Sequence, residues 1–223
     1  MVVKYAKIIG RSPAALNMKI GNFGRLDPAL KEAGIVGLKN GAKLEEAIWA
    51  EFHNDWNKLA YESELLISKF SNKSIEETNH IDLDHLPLGM ERESLTKTRV
   101  NQNFFRSTIL SSYNGKCCIT KLAIPEFLIA SHIIPWKVNE QERLNPRNGL
   151  CLNALHDKAF DRGYLTISSD YKVILSNSFS DFEKDDAVID FFFGYENKRI
   201  DLPEKFLPNP DFLKFHHENI FKL

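Results

Sequence analysis

Ala130-Ser131-His132-Ile133-Ile134-Pro135-Trp136, Asn148-Gly149-Leu150-Cys151-Leu152 and His156-Asp157-Lys158-Ala159-Phe160-Asp161-Arg162-Gly163 follow one another in the second half of this chain. The first stretch closes the apolar run Phe127-Leu128-Ile129-Ala130 and reads as a strand ending near His132. Asn148 falls in the turn cluster Asn145-Pro146-Arg147-Asn148-Gly149, ahead of the short apolar run 149–152. Residues 154–160 read as a helix stopped by Gly163. A strand with a histidine, a loop with an asparagine and a helix with a histidine bring together the few parts that phosphodiester hydrolysis needs. A neutral imidazole takes a proton from water. A divalent ion neutralises charge growing on the phosphate. An amide holds the histidine and its loop in place.

Outward from this core, a helix is expected from about 96 to 113, ending at Asn114-Gly115, with short β-like runs and turns over 116–136. Tyr164–Ser168 and Lys172–Leu175 read as strands around a Ser169-Asp170 turn, and a helix runs from Asp211 to Phe221. Toward the N-terminus, residues 4–9 read as a helix closed by Gly10. Ser12 then caps a second helix with Pro13 at its first position, with Ala15, Met18 and Phe23 inward. Helix, glycine turn, helix is the layout of a helix-turn-helix. Asp27 and Pro28 open another short helix, and 43–69 carries apolar residues at helical spacing. Periodicity is lost over 71–94, which reads as a linker. The expected domains are a helical module at 1–70, a linker at 71–95 and a third region at 96–223.

The core is similar to the HNH endonuclease superfamily, and within it to a bacterial restriction-type group with A-x-H-I-x-P-W, N-G-L-x-L and H-x3-F-D-x-G in that order. The resemblance extends upstream through Arg99–Arg106 and Tyr113–Thr120, and covers the tail from Phe212 to Phe221 and the front segment from Ile9 to Pro28. It implies an α+β protein: a helical N-terminal module followed by a ββα-metal nuclease domain with a C-terminal helix. His132 matches the general base, Asn148 the residue that positions base and loop, and His156 the metal-binding histidine. Many relatives place an acidic residue or histidine before the base, where this chain has Ser131. The second metal ligand is therefore open among Asp161, Asp157 and Ser131. Asp161 matches the motif, whereas Asp157 leaves the helix about 100° from His156. The resemblance implies one Mg²⁺ or Mn²⁺ per site, DNA as substrate, and a role in bacterial restriction or anti-phage defence. A double-strand break would call for two copies, so a homodimer is an expected assembly. A DNA-binding protein with a degenerate site, or a nuclease switched on by a regulatory partner, is the alternative.

Hydrophobic residues make up 43% and charged residues 26% of the 223, the mix of a folded globular protein, which excludes a disordered tail or a disulfide scaffold. No apolar run is long enough to span a membrane. Three cysteines, Cys117, Cys118 and Cys151, without an export signal fit reduced thiols in the cytoplasm. They form no C-x2-C, so no structural zinc is expected. Net charge is −1, but it is segregated: +6 over residues 1–44, −8 over 45–91, +5 over 92–147 and −4 over 148–223. Basic segments suit an anionic partner. Arg11, Lys19 and Arg25 in the front segment, and Arg99, Gln102 and Arg106 on the helix before the core, are the expected DNA contacts.

Overall fold

The computed structural model describes residues 2–32, 34–35, 41–81 and 91–222. It is an α+β protein of two compact units, Met1–Asn101 and Gln102–Leu223. The stretch 71–95 contains a described helical turn at Ile75–Thr78, and its residues 82–90 lie outside the described residues.

In the N-terminal unit, α1 (Val2–Ile8) ends before Gly10, whose φ of 65° closes the helix in the left-handed region. Ser12 Oγ accepts the Ala15 N–H at 3.2 Å and starts α2 (Pro13–Gly24) with proline at its first turn. Of the inward face expected for α2, Ala15 and Phe23 are half-buried but Met18 is not. Met18 is 60% exposed, and no described residue of α2 is fully buried. After α3 (Pro28–Glu32), the long helical stretch is broken in two: α4 (Lys43–Phe52) and α5 (Trp56–Ser71). The break has a local cause, because Asp55 Oδ1 accepts the Lys58 N–H at 2.9 Å and starts a new helix. The turn Ile75–Thr78 is α6, and α7 (Arg92–Ser112) crosses the boundary between the units.

The C-terminal unit is built on an antiparallel pair. β1 (Leu128–His132) and β2 (Gly149–Asn153) run in a register that sets Leu128 against Asn153, Ser131 against Leu150 and His132 against Gly149. Every residue of β2 is buried. The α7 side of the pair packs at Gly149, where an added Cβ would collide with Ile109 and Phe105, so α7 approaches only because this position lacks a side chain. Asn153 ends β2 and caps α8 (Ala154–Asp161), its Oδ1 accepting the His156 N–H at 2.9 Å. The second pair is β3 (Leu165–Ile167) with β4 (Val173–Leu175). Two elements follow: α9 (Asp186–Phe191), which the sequence reading did not anticipate, and α10 (Pro210–Asn219).

Candidate active site

His132 ends β1 and is half-buried. Its ring stacks on Phe105 at 3.8 Å between centroids and 12° between planes, and Trp136 meets its edge at 5.4 Å. Nε2 lies 2.9 Å from the Arg143 carbonyl oxygen. A carbonyl can only accept, so Nε2 carries the hydrogen and Nδ1 is left with a lone pair. Burial pushes the ring below the usual imidazole range, against a smaller upward pull from that carbonyl. The result is a neutral, oriented imidazole with one basic nitrogen, the form a general base requires.

Asn148 does not touch His132. Its side chain pins the intervening loop: Oδ1 accepts the Ile134 N–H at 2.8 Å, and Nδ2 donates to the Ile134 and Glu142 carbonyls, both at 3.1 Å. The Ile133 N–H donates to the Asn148 carbonyl at 3.0 Å. The amide thus fixes the loop at both ends and, through it, the carbonyl that orients His132.

His156, expected as a metal ligand, lies on α8 with both ring nitrogens hydrogen-bonded within the protein. The ring is fully buried. Nε2 donates to the Phe191 carbonyl at 2.7 Å, and Nδ1 accepts from Asn153 Nδ2 at 2.9 Å. Phe192 and Tyr195 contact the ring edge-on. Both ring nitrogens are hydrogen-bonded to protein atoms, so this imidazole ties α8 to the last residue of α9.

The carboxylates take the other face. Asp157 and Asp161 stand four residues apart on α8, on one side of the helix. Burial above all, with the Asp161 charge adding to it, raises the Asp157 carboxyl, and burial likewise raises Asp161 against Lys158 and Arg162. The Ser131 hydroxyl is buried without a partner at hydrogen-bond distance, yet it faces Asp157 closely enough to pull that carboxyl down somewhat. Asp157 and Asp161 on one side of α8, with the Ser131 hydroxyl approaching Asp157, supply oxygen donors of the kind hard cations prefer. Among the described residues no group of three or more His, Cys, Asp or Glu side chains is arranged around a metal position, so water and substrate oxygens would complete the shell. Ser131 and His132 are successive strand residues, so the base and the carboxylates flank one strand end from its two faces.

The expected DNA contacts divide. Arg11 is exposed. Lys19 is 61% exposed and pairs with the buried Glu45 at 2.7 Å, a carboxyl held down to about 2 by hydrogen bonds from Lys19 and Asn22. Arg25 is not presented outward: it pairs with Glu46 at 3.1 Å, its Nε and Nη2 are buried, and it packs against Gly41. Arg99 and Gln102 are exposed positions on α7. Arg106 is an exposed residue whose guanidinium donates to the Leu128 carbonyl at 2.7 Å and to that of Pro125 at 3.3 Å. Arg25 and Arg106 thus each make bonds within the protein.

Residues 117–168 match a family model described as HNH endonuclease. No curated protein matches the chain. The match spans β1, β2, α8 and β3, and so includes His132, Asn148 and the two α8 carboxylates.

Proposed function

We propose, from the premise that the C-terminal half of this chain carries an HNH endonuclease domain, that the protein hydrolyses DNA phosphodiester bonds with the help of one divalent ion. The observation that carries this reading is His132, whose Nε2 is committed to the Arg143 carbonyl and whose Nδ1 is left basic. His132 accepts the proton of the attacking water at Nδ1. Phe105 and Trp136 hold the ring plane and keep bulk water from its face. Asp157 and Asp161, with the Ser131 hydroxyl, would hold the ion. When bound there it supplies Lewis-acid stabilisation of the phosphate and the leaving oxygen. An oxygen-only set favours Mg²⁺ or Mn²⁺ over Zn²⁺.

Bacterial restriction or anti-phage defence is the setting that the core sequence resemblance supports. One such site acts on one strand at a time, so two copies would act together in a double-strand break. The test is nicking of supercoiled plasmid in Mg²⁺, Mn²⁺ or EDTA. Wild type nicks only with a divalent ion, and Asp157→Asn and Asp161→Asn each fall about a hundredfold or more, the scale of a lost electrostatic stabiliser. DNA binding without cleavage in either metal would favour the alternative, a DNA-binding protein with a degenerate or partner-activated site.

A further inference from the structure

Arg143 contacts neither the carboxylates nor the Phe105 face of the base, yet three of its interactions converge on the loop that orients His132. Its Nε donates to the Trp136 carbonyl at 2.7 Å. Its Nη2 donates to Glu140 Oε1 at 2.9 Å. Its guanidinium lies 5.2 Å from the centre of the Trp136 ring. The same residue's carbonyl accepts the His132 Nε2–H, and the Trp136 ring abuts the imidazole edge. One side chain therefore clips the two ends of the 136–143 loop together. Both partners of the His132 ring on that loop, a carbonyl and an indole, belong to the clipped residues.

We infer that Arg143 is a positioning residue for the nuclease base: its guanidinium fork fixes the loop whose carbonyl keeps His132 in the single tautomer with Nδ1 unprotonated. This rests on the reading of His132 as base. The fork geometry is essential, because a planar guanidinium serves a carbonyl and a carboxylate from adjacent nitrogens while stacking on an indole, and a lysine ammonium cannot do all three. The wrong tautomer would place a hydrogen where the lone pair is needed, so the loss falls on turnover and not on substrate affinity.

Two readouts test this. Long-range ¹H–¹⁵N spectra of the imidazoles in the metal-free protein, with His132 assigned by its absence in His132→Asn, report the tautomer independently of any cleavage. Wild type gives one Nε2-protonated form; Arg143→Met and Arg143→Lys each give a mixture. In plasmid nicking, both variants lose about tenfold in kcat, a fraction of a general base's usual contribution, with KM within about twofold. A single retained tautomer in both variants overturns the clamp. So does a lysine variant with full turnover, or a salt-dependent rise in KM at unchanged kcat, either of which would make Arg143 a phosphate contact. If the wild-type protein cleaves nothing, the nuclease reading fails while the spectra still decide the clamp. Arg143→Lys keeps the charge and covers the event that Arg143→Met does not fold.

Discussion

An imidazole whose two nitrogens are both hydrogen-bonded to protein atoms ties the elements around it together. His156 is in that state, between Asn153 and the Phe191 carbonyl. Its neighbour Asp157, one residue and about 100° around the helix, faces the orphaned Ser131 hydroxyl. The two positions should respond oppositely. His156→Asn costs about 2–4 kcal/mol of stability, because a buried carbonyl and a buried amide lose their partner, and leaves Mn²⁺ binding intact. Asp157→Asn abolishes Mn²⁺ binding and raises the melting temperature of the metal-free protein. A carboxyl raised by burial is destabilising in its charged form at neutral pH, and the amide removes that charge. Calorimetric titration with Mn²⁺ and thermal melts of the two variants check both statements. The histidine at position 156 was legible in the sequence as a site residue only because its letter fits a motif. Which side chain of the pair 156–157 faces the strand depends on helix rotation, which the spacing of three short motifs does not resolve.

At the scale of elements, α10 is fastened to the ββα core at two points. Gly163, at φ 74°, follows α8, and an added Cβ there would run into the Ile220 backbone; the Lys222 N–H donates to its carbonyl at 2.9 Å. His216 is buried, stacked on Phe160, with Nδ1 accepting from Thr166 Oγ1 at 2.8 Å and Nε2 donating to the Phe160 carbonyl at 3.2 Å. Burial pushes this imidazole down to about 4 from an ordinary value of 6.5. The folded state thus refuses a proton that the unfolded chain takes up below pH 6.5. The stabilisation is complete above 6.5, is lost as pH falls through the interval, and stops changing below about 4. It amounts to about 3 kcal/mol at most. Melts from pH 7.5 to 4 should show a falling transition temperature, with a shallower fall in His216→Gln. Elements with their own punctuation were legible: Ser12-Pro13 before α2 and Gly163 after α8. The α4/α5 break was signalled by Asp55 but hidden by continuous apolar periodicity around it. Residues 177–195 were not legible, because their phenylalanines follow no helical or strand period and form short turns instead.

For the molecule as a whole, the segregated charge visible in the sequence is partly spent internally. Lys19, Arg25 and Arg92 pair with Glu45, Glu46 and Glu76, so the acidic stretch 45–91 neutralises basic neighbours within its own unit. Composition alone therefore overstated the cationic surface of the N-terminal unit. The α+β class and the strand–loop–helix order of the core were legible because three turn signals and two apolar runs fix them locally. The loop that orients the base was not, since its bonds join residues such as His132 and Arg143 across a turn of no regular structure. The central claim concerns that base, and chemical rescue tests it most directly. His132→Ala removes the ring and leaves a slot against Phe105 sized for an imidazole. In Mn²⁺, plasmid nicking by this variant should fall at least a hundredfold, and free imidazole in the buffer should restore part of it in a saturable, pH-dependent way. Undiminished nicking by His132→Ala, traced to the purified protein, would contradict the account.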